Sequence, residues 1–195
     1  MEPSHVKPLL VVVLATLLVL PLSARAEPRQ VLVVGDSLAV GTEPYLGAML
    51  GDSNVTWGAQ SGRTTPQGLQ VLRAGLRDLT PQAVVISLGT NDGPDPQRFA
   101  DRLRRVLAAV PSGACVVWSN VNRPPRKGPY AAINRVLWHV AARDPRLVIV
   151  DWNWAVASGK VRLPDGLHPD AAGYEYRSRM IATALARGCP AARAG

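Results

Sequence analysis

Gln30-Val31-Leu32-Val33-Val34-Gly35-Asp36-Ser37-Leu38-Ala39-Val40 opens with an apolar run, breaks at a polar turn and resumes as a second apolar segment. Val31 to Val34 show no in/out alternation, so a strand here is covered on both faces, as in a parallel sheet. The residues after the turn predict a helix over 38–50. The same unit recurs along the chain. Strands are expected at Gln30–Val34, Val55–Trp57, Ala83–Leu88, Ala114–Trp118 and Leu147–Val150, and further helices at about 66–78, 96–110, 130–143 and 170–187. Over 96–110, Phe99, Leu103, Val106, Leu107 and Val110 fall at helical spacing, with Asp101, Arg102, Arg104 and Arg105 mostly opposite. Alternating strands and helices predict one three-layer α/β/α sandwich around a five-stranded parallel sheet. No linker, repeat or composition break divides residues 27–195.

Composition narrows the function classes. The chain has 195 residues, 47% of them hydrophobic, enough for one domain with a sizeable core. Charged residues make up 18%, which excludes a disordered polyelectrolyte. Seventeen Gly and seventeen Pro without a period suit a loop-rich α/β protein and exclude collagen. Two cysteines cannot build a four-thiolate zinc site, and three histidines argue against a polyhistidine metal centre. The formal charge is +8, and nineteen of the twenty-two cations are arginine.

Residues 1–26 read as a secretory signal peptide. Lys7 is its positive region, Leu9 to Leu20 its apolar run, and Ala24-Arg25-Ala26 its cleavage site. The run is shorter than the ~20 residues that span a bilayer, so no stable membrane insertion is expected after cleavage. The remaining 169 residues would carry +7 and work secreted or in a periplasm. In an oxidising compartment Cys115 and Cys189 are expected to pair, the alternative being two unrelated buried thiols. Cys115 opens a predicted strand and Cys189 follows the last predicted helix, which places both on one edge of the sheet.

In such a fold, ligands gather at the carboxyl ends of the strands. The segments there are Gly35-Asp36-Ser37, Gly58 to Arg63, Gly89-Thr90-Asn91-Asp92-Gly93 and, after a longer loop, Asp165-Gly166-Leu167-His168-Pro169. Ser37, between a strand and a helix, exposes a hydroxyl as a candidate nucleophile. Alone, Gly-Asp-Ser is equally a helix cap. Besides His168 the mature chain contains only His139, which lies mid-helix beside Trp138. Asp165, three residues before His168, can turn back onto the imidazole and orient it. Donors for a developing oxyanion are offered by Ser37 N–H, Gly62 N–H and the Asn91 side chain, though the last two read singly as turn residues. A dinucleotide loop is set aside because no glycine lies between Gly35 and Gly41 in the required spacing. The elbow of the larger α/β-hydrolases is set aside because its acid and histidine are not three residues apart.

The sequence resembles the SGNH (GDSL-like) hydrolase family. Gly35-Asp36-Ser37 matches the nucleophile block, Gly62 the glycine block with Gly58 a neighbouring candidate, Gly89-Thr90-Asn91-Asp92 the asparagine block, and Asp165-x-x-His168 the closing block. The resemblance spans nearly the whole mature chain. It implies a flavodoxin-like sheet, a Ser37–His168–Asp165 triad, an oxyanion hole from Ser37, Gly62 and Asn91, and no metal or organic cofactor. Asp36 and Asp92 are expected to shape loops.

The expected activity is a serine esterase that removes short acyl groups, acetate above all, from a small ester or acylated carbohydrate. The alternatives are an O-acyltransferase for an extracellular glycan and a non-catalytic binder of anionic cell-wall polymer. A chain this short has little room for a lid over a long acyl chain. Trp152 and Trp154 could stack on substrate or pack over the sheet edge. Arg123, Arg126 and Lys127 form a basic loop that could meet an anionic cell-envelope surface or stay solvated. Nucleic acid is not an expected partner, since the arginines lack interleaved aromatics.

Overall fold

The computed structural model describes residues 29–124 and 127–189. The expected leader and Arg126 lie outside the described residues. Five strands, β1 (Gln30–Gly35), β2 (Asn54–Ala59), β3 (Ala83–Ser87), β4 (Cys115–Ser119) and β5 (Leu147–Val150), form one sheet in the order β2-β1-β3-β4-β5. Every neighbouring pair is parallel. The helices are α1 (Ser37–Met49), α2 (Thr65–Asp78), α3 (Pro96–Ala109), α4 (Tyr130–Ala141), α5 (Trp152–Ala157) and α6 (Ala171–Gly188). The expected α/β sandwich and parallel sheet are therefore present, with element ends shifted by one or two residues.

Alternate side chains of each strand leave the sheet on opposite faces and build two cores. Leu32, Val34, Val84, Ile86, Val116 and Trp118 pack with Leu72 of α2, Phe99 and Leu103 of α3 and Ile133 and Leu137 of α4. Val31, Val33, Val85 and Val117 pack on the other side with Leu46 of α1 and Ile181 and Leu185 of α6. This explains why β1 and β3 read as unbroken apolar runs. No helix of the described residues is long and apolar enough to cross a membrane.

The chain leaves β1 through α1 to one edge strand, then crosses back through α2 on the opposite face to reach β3. The connections therefore diverge at the carboxyl ends of β1 and β3, opening a crevice at this switch point. Helix α5 was not expected from the sequence. Six residues are too few to display a helical period, and its start rests on Asp151, whose carboxylate accepts from Trp154 N–H at 3.0 Å. At the far edge Cys115 and Cys189 form a disulfide, their Cα atoms 5.5 Å apart. It ties the first residue of β4 to the end of α6, on the sheet edge opposite the crevice.

Candidate active site

Ser37 is the first residue of α1. Asp36 caps that helix by accepting from Leu38 N–H at 3.0 Å, and its own N–H donates to the Ser87 carbonyl at 3.0 Å. The serine is thus pinned where β1 and β3 end side by side. Gly35 makes the turn possible, because a Cβ there would lie 2.3 Å from the Ala39 Cβ. Burial pushes the Asp36 carboxyl up, against the opposing pull of the Leu38 N–H, Arg177, the Thr90 hydroxyl and Arg123.

The loop after α5 brings in the imidazole of His168. His168 Nε2 stands 2.8 Å from Ser37 Oγ, across a separation of 131 residues. On its other side, Nδ1 is 2.7 Å from Asp165 Oδ2. Asp165 Oδ1 also accepts from the N–H groups of Leu167 (2.8 Å) and His168 (2.7 Å). The His168 ring is the largest cause holding the Asp165 carboxyl well below the usual carboxylate range, followed by the two backbone donors. With Nδ1–H donated to the carboxylate, Nε2 is left to accept the serine proton. The His168 and Asp165 side chains are 36% and 57% exposed, so both are open to solvent.

The other residues expected at the site lie on the loops after β2 and β3. Gly62 sits at the tip of the loop after β2 with φ +77°, a left-handed backbone that favours glycine. Gly58, the neighbouring candidate, is inside β2 opposite Val34, and its carbonyl accepts from Arg63 Nη1. Asn91 Nδ2 donates to the Arg63 carbonyl at 3.1 Å and keeps a second N–H for other use. Asn91 Oδ1 accepts from Arg123 Nη2 at 3.2 Å, and Arg123 Nε donates to the Thr90 carbonyl at 3.0 Å. Asp92 braces the same corner by accepting from Thr65 N–H at 2.7 Å, with Arg102 3.3 Å away.

Three arginines were not legible as parts of this site. Arg63 donates to the Gly35 carbonyl (3.2 Å), to the Gly58 carbonyl and to Gln60 Oε1 (3.0 Å), so it fastens the β2 loop across the end of β1. Arg123, expected in a basic loop, turns its Nε and Nη2 inward onto Thr90 and Asn91. Arg177 is fully buried in α6, donates to Ser87 Oγ at 2.9 Å and lies 4.6 Å from the Trp152 ring centre. Burial pushes its guanidinium down to about 10, against the opposing charges of Asp36 and Tyr174. A long side chain shows its partner only after folding. The one available signal was an arginine inside the apolar register of a predicted helix.

The two tryptophans separate. Trp152 is 0% exposed under Arg177, so the expectation that it could meet substrate is corrected: the ring is closed off because α5 turns it inward. Trp154 is 49% exposed, with Lys160 Nζ 5.6 Å from its ring centre. Among the described residues no three His, Cys, Asp or Glu side chains gather into a metal site.

A parallel sheet with a serine, an imidazole and a carboxylate in line at its switch point defines a class of serine-centred α/β enzymes. The chain belongs to the GDSL-like lipase/acylhydrolase family, whose profile matches residues 33–176. It is accordingly a serine hydrolase acting on ester bonds. It is 32% identical over 168 residues to esterase TesA of Pseudomonas aeruginosa, covering 76% of this chain and 83% of that protein. An arylesterase of Vibrio mimicus is 27% identical over 184 residues, covering 85% of this chain and 92% of its own. Among solved structures, a crystal structure of TesA matches with a TM-score of 0.67 at 27% identity, over 82% of this chain and 99% of that one. The C-terminal catalytic domain of Streptococcus pneumoniae peptidoglycan O-acetyltransferase A, solved with a methylsulfonyl adduct, matches with a TM-score of 0.68 at 23% identity, over 81% and 92%.

Proposed function

We propose that the protein cleaves short-chain carboxylic esters, acetyl esters above all, through an acyl-enzyme on Ser37, and that it does so after export under the leader 1–26. The observation that carries this reading is the unbroken line Ser37 Oγ–His168 Nε2 at 2.8 Å and His168 Nδ1–Asp165 Oδ2 at 2.7 Å. Ser37 Oγ attacks the ester carbonyl as His168 takes its proton, and Asp165 steadies the imidazolium that results. The oxyanion is met by Ser37 N–H, Gly62 N–H and Asn91 Nδ2. His168 returns the proton to the leaving alcohol as the carbon–oxygen bond breaks. Water, deprotonated by the same imidazole, then attacks the acyl-enzyme and frees the acid and Ser37.

The solvent-open His168 and Asp165 support a small, freely exchanging ester substrate. Trp154 is the aromatic face offered to substrate. The disulfide supports a compartment outside the cytoplasm. Ser37→Ala, folded but unable to release nitrophenol from 4-nitrophenyl acetate, is the expected result. Full turnover by that variant would end the proposal. A second reading, O-acyl transfer to a glycan hydroxyl, is favoured by the fold shared with the O-acetyltransferase domain. Transfer to added alcohol in excess of hydrolysis would decide for it.

A further inference from the structure

Beside Gly62 lies a hollow of about 280 Å³ between the tip of the β2–α2 loop and the first two turns of α2. Its lining includes Gly62, one of the proposed oxyanion donors, and Gln60 N–H donates to the Gly35 carbonyl at 3.1 Å, two residues before Ser37. Its polar walls come from Gln60, Ser61, Gln67 and Gln70, and Val71 adds an apolar strip.

The amides are not randomly presented. Gln60 Oε1 is taken by Arg63 Nη2 at 3.0 Å, and Gln67 Oε1 by the Thr64 N–H and hydroxyl, both at 2.9 Å. An amide whose oxygen is tied back presents its NH₂ on the opposite side. Gln70 is three residues from Gln67, on the same face of α2, so it adds a whole amide that can donate and accept. Ser61 adds a hydroxyl. No carboxylate lines the hollow, and its one cation, Arg63, is committed to Gly35, Gly58 and Gln60. Such a wall of neutral donors, two of them held in place, with one aliphatic strip complements neutral hydroxyl, ether or acetamido oxygens above a C–H face. The volume lies near the lower end of ligand pockets, suiting one ring and not a polymer strand.

We propose that Gln60, Ser61, Gln67 and Gln70 form a subsite for a single neutral sugar unit, the alcohol portion of the ester. This rests on the esterase reading and names its substrate class. The nitrophenyl leaving group meets these donors only with weakly accepting nitro oxygens on a flat ring, whereas an acetylated methyl glucoside presents several hydroxyl and ether oxygens.

The test compares the purified enzyme with the double variant Ser61→Ala/Gln70→Leu, which leaves the α2 cap on Gln67 in place. The ratio of kcat/KM on acetylated methyl glucoside to that on 4-nitrophenyl acetate is expected to fall about tenfold, mostly through KM, as hydrogen bonds to neutral groups are lost. An unchanged ratio overturns the subsite, and so does a wild-type enzyme that cleaves 4-nitrophenyl acetate but not the sugar ester. A wild-type enzyme inactive on both overturns the esterase reading. The subsite is then judged by titrating Ser37→Ala protein with acetylated methyl glucoside. Binding weakened about tenfold by Gln70→Leu supports the subsite, and no binding ends it.

Discussion

The main-chain carbonyl of Arg63 accepts from the side-chain amide of Asn91 at 3.1 Å, while the guanidinium of the same arginine donates to the carbonyl of Gly35 at 3.2 Å. One residue therefore ties the ends of β1, β2 and β3 into a single corner. Arg123 closes it from the other side by holding Asn91 Oδ1 at 3.2 Å. Asn91 is gripped at both ends of its amide, and only its remaining N–H is left to aim into the crevice.

Arg63→Ala is expected to lower kcat on 4-nitrophenyl acetate by roughly 10²-fold, close to the loss of an oxyanion donor, with a smaller change in KM. Arg63→Lys should recover little of it, because an ammonium cannot hold the Gly35 and Gly58 carbonyls and Gln60 in one planar fork. Steady-state kinetics on both variants check this, and equal kcat in Arg63→Ala and wild type would refute it.

Asp165→Asn keeps the shape of the loop but not its charge. Turnover of 4-nitrophenyl acetate is expected to fall by roughly two to four orders of magnitude through loss of the imidazolium's partner. The change also has a thermal signature. A carboxyl held below its usual range stabilises the fold above its unfolded value and loses that contribution as pH falls through its lowered value. Melting curves of the variant should therefore fall less steeply in acid than those of wild type, and parallel curves would contradict the assignment.

Removing the buried cation tests the floor of the site. Arg177→Met takes an opposing charge away from Asp36, whose carboxyl burial already pushes up. A carboxyl with a raised value favours the fold while protonated and disfavours it once ionised, so the deficit of the variant should be small in acid. It should grow as pH rises through the shifted value, towards ~3 kcal/mol for a buried charge left without its partner. Melting temperatures of both proteins across the acid-to-neutral range measure this, and a deficit independent of pH would contradict it.

The disulfide closes a separation of 74 residues, worth about 4 kcal/mol in the chain-entropy model. Reduction, or Cys115→Ala/Cys189→Ala, should lower Tm by about 10 °C in a domain of this size. Turnover at 25 °C should persist, because Cys115 begins β4 whereas Ser37 lies at the opposite edge of the sheet. Calorimetry beside an activity assay separates the two effects.

What is legible in the sequence follows from the range of each interaction. Val31–Val34 and Ala83–Ser87 announce strands covered on both faces because apolar burial is written locally, residue by residue. Ser37, Asn91 and the Asp165–His168 pair stood out because polar residues at strand ends share one edge. Helix α5, the inward turn of Trp152 and the inward reach of Arg123 did not, since each depends on neighbours far along the chain.

Periodicity and turn chemistry are enough to specify the layered α/β architecture, the edge on which polar segments gather and the residue types found there. It takes the folded chain to bring His168 to Ser37 across 131 residues, to hold Asn91 between Arg63 and Arg123, and to bury Arg177 against Ser87. Local pattern fixes which way a backbone runs. The partner of a long polar side chain is chosen by whichever distant carbonyl, hydroxyl or charge folding brings within three ångströms or so, in an interior where few alternatives remain.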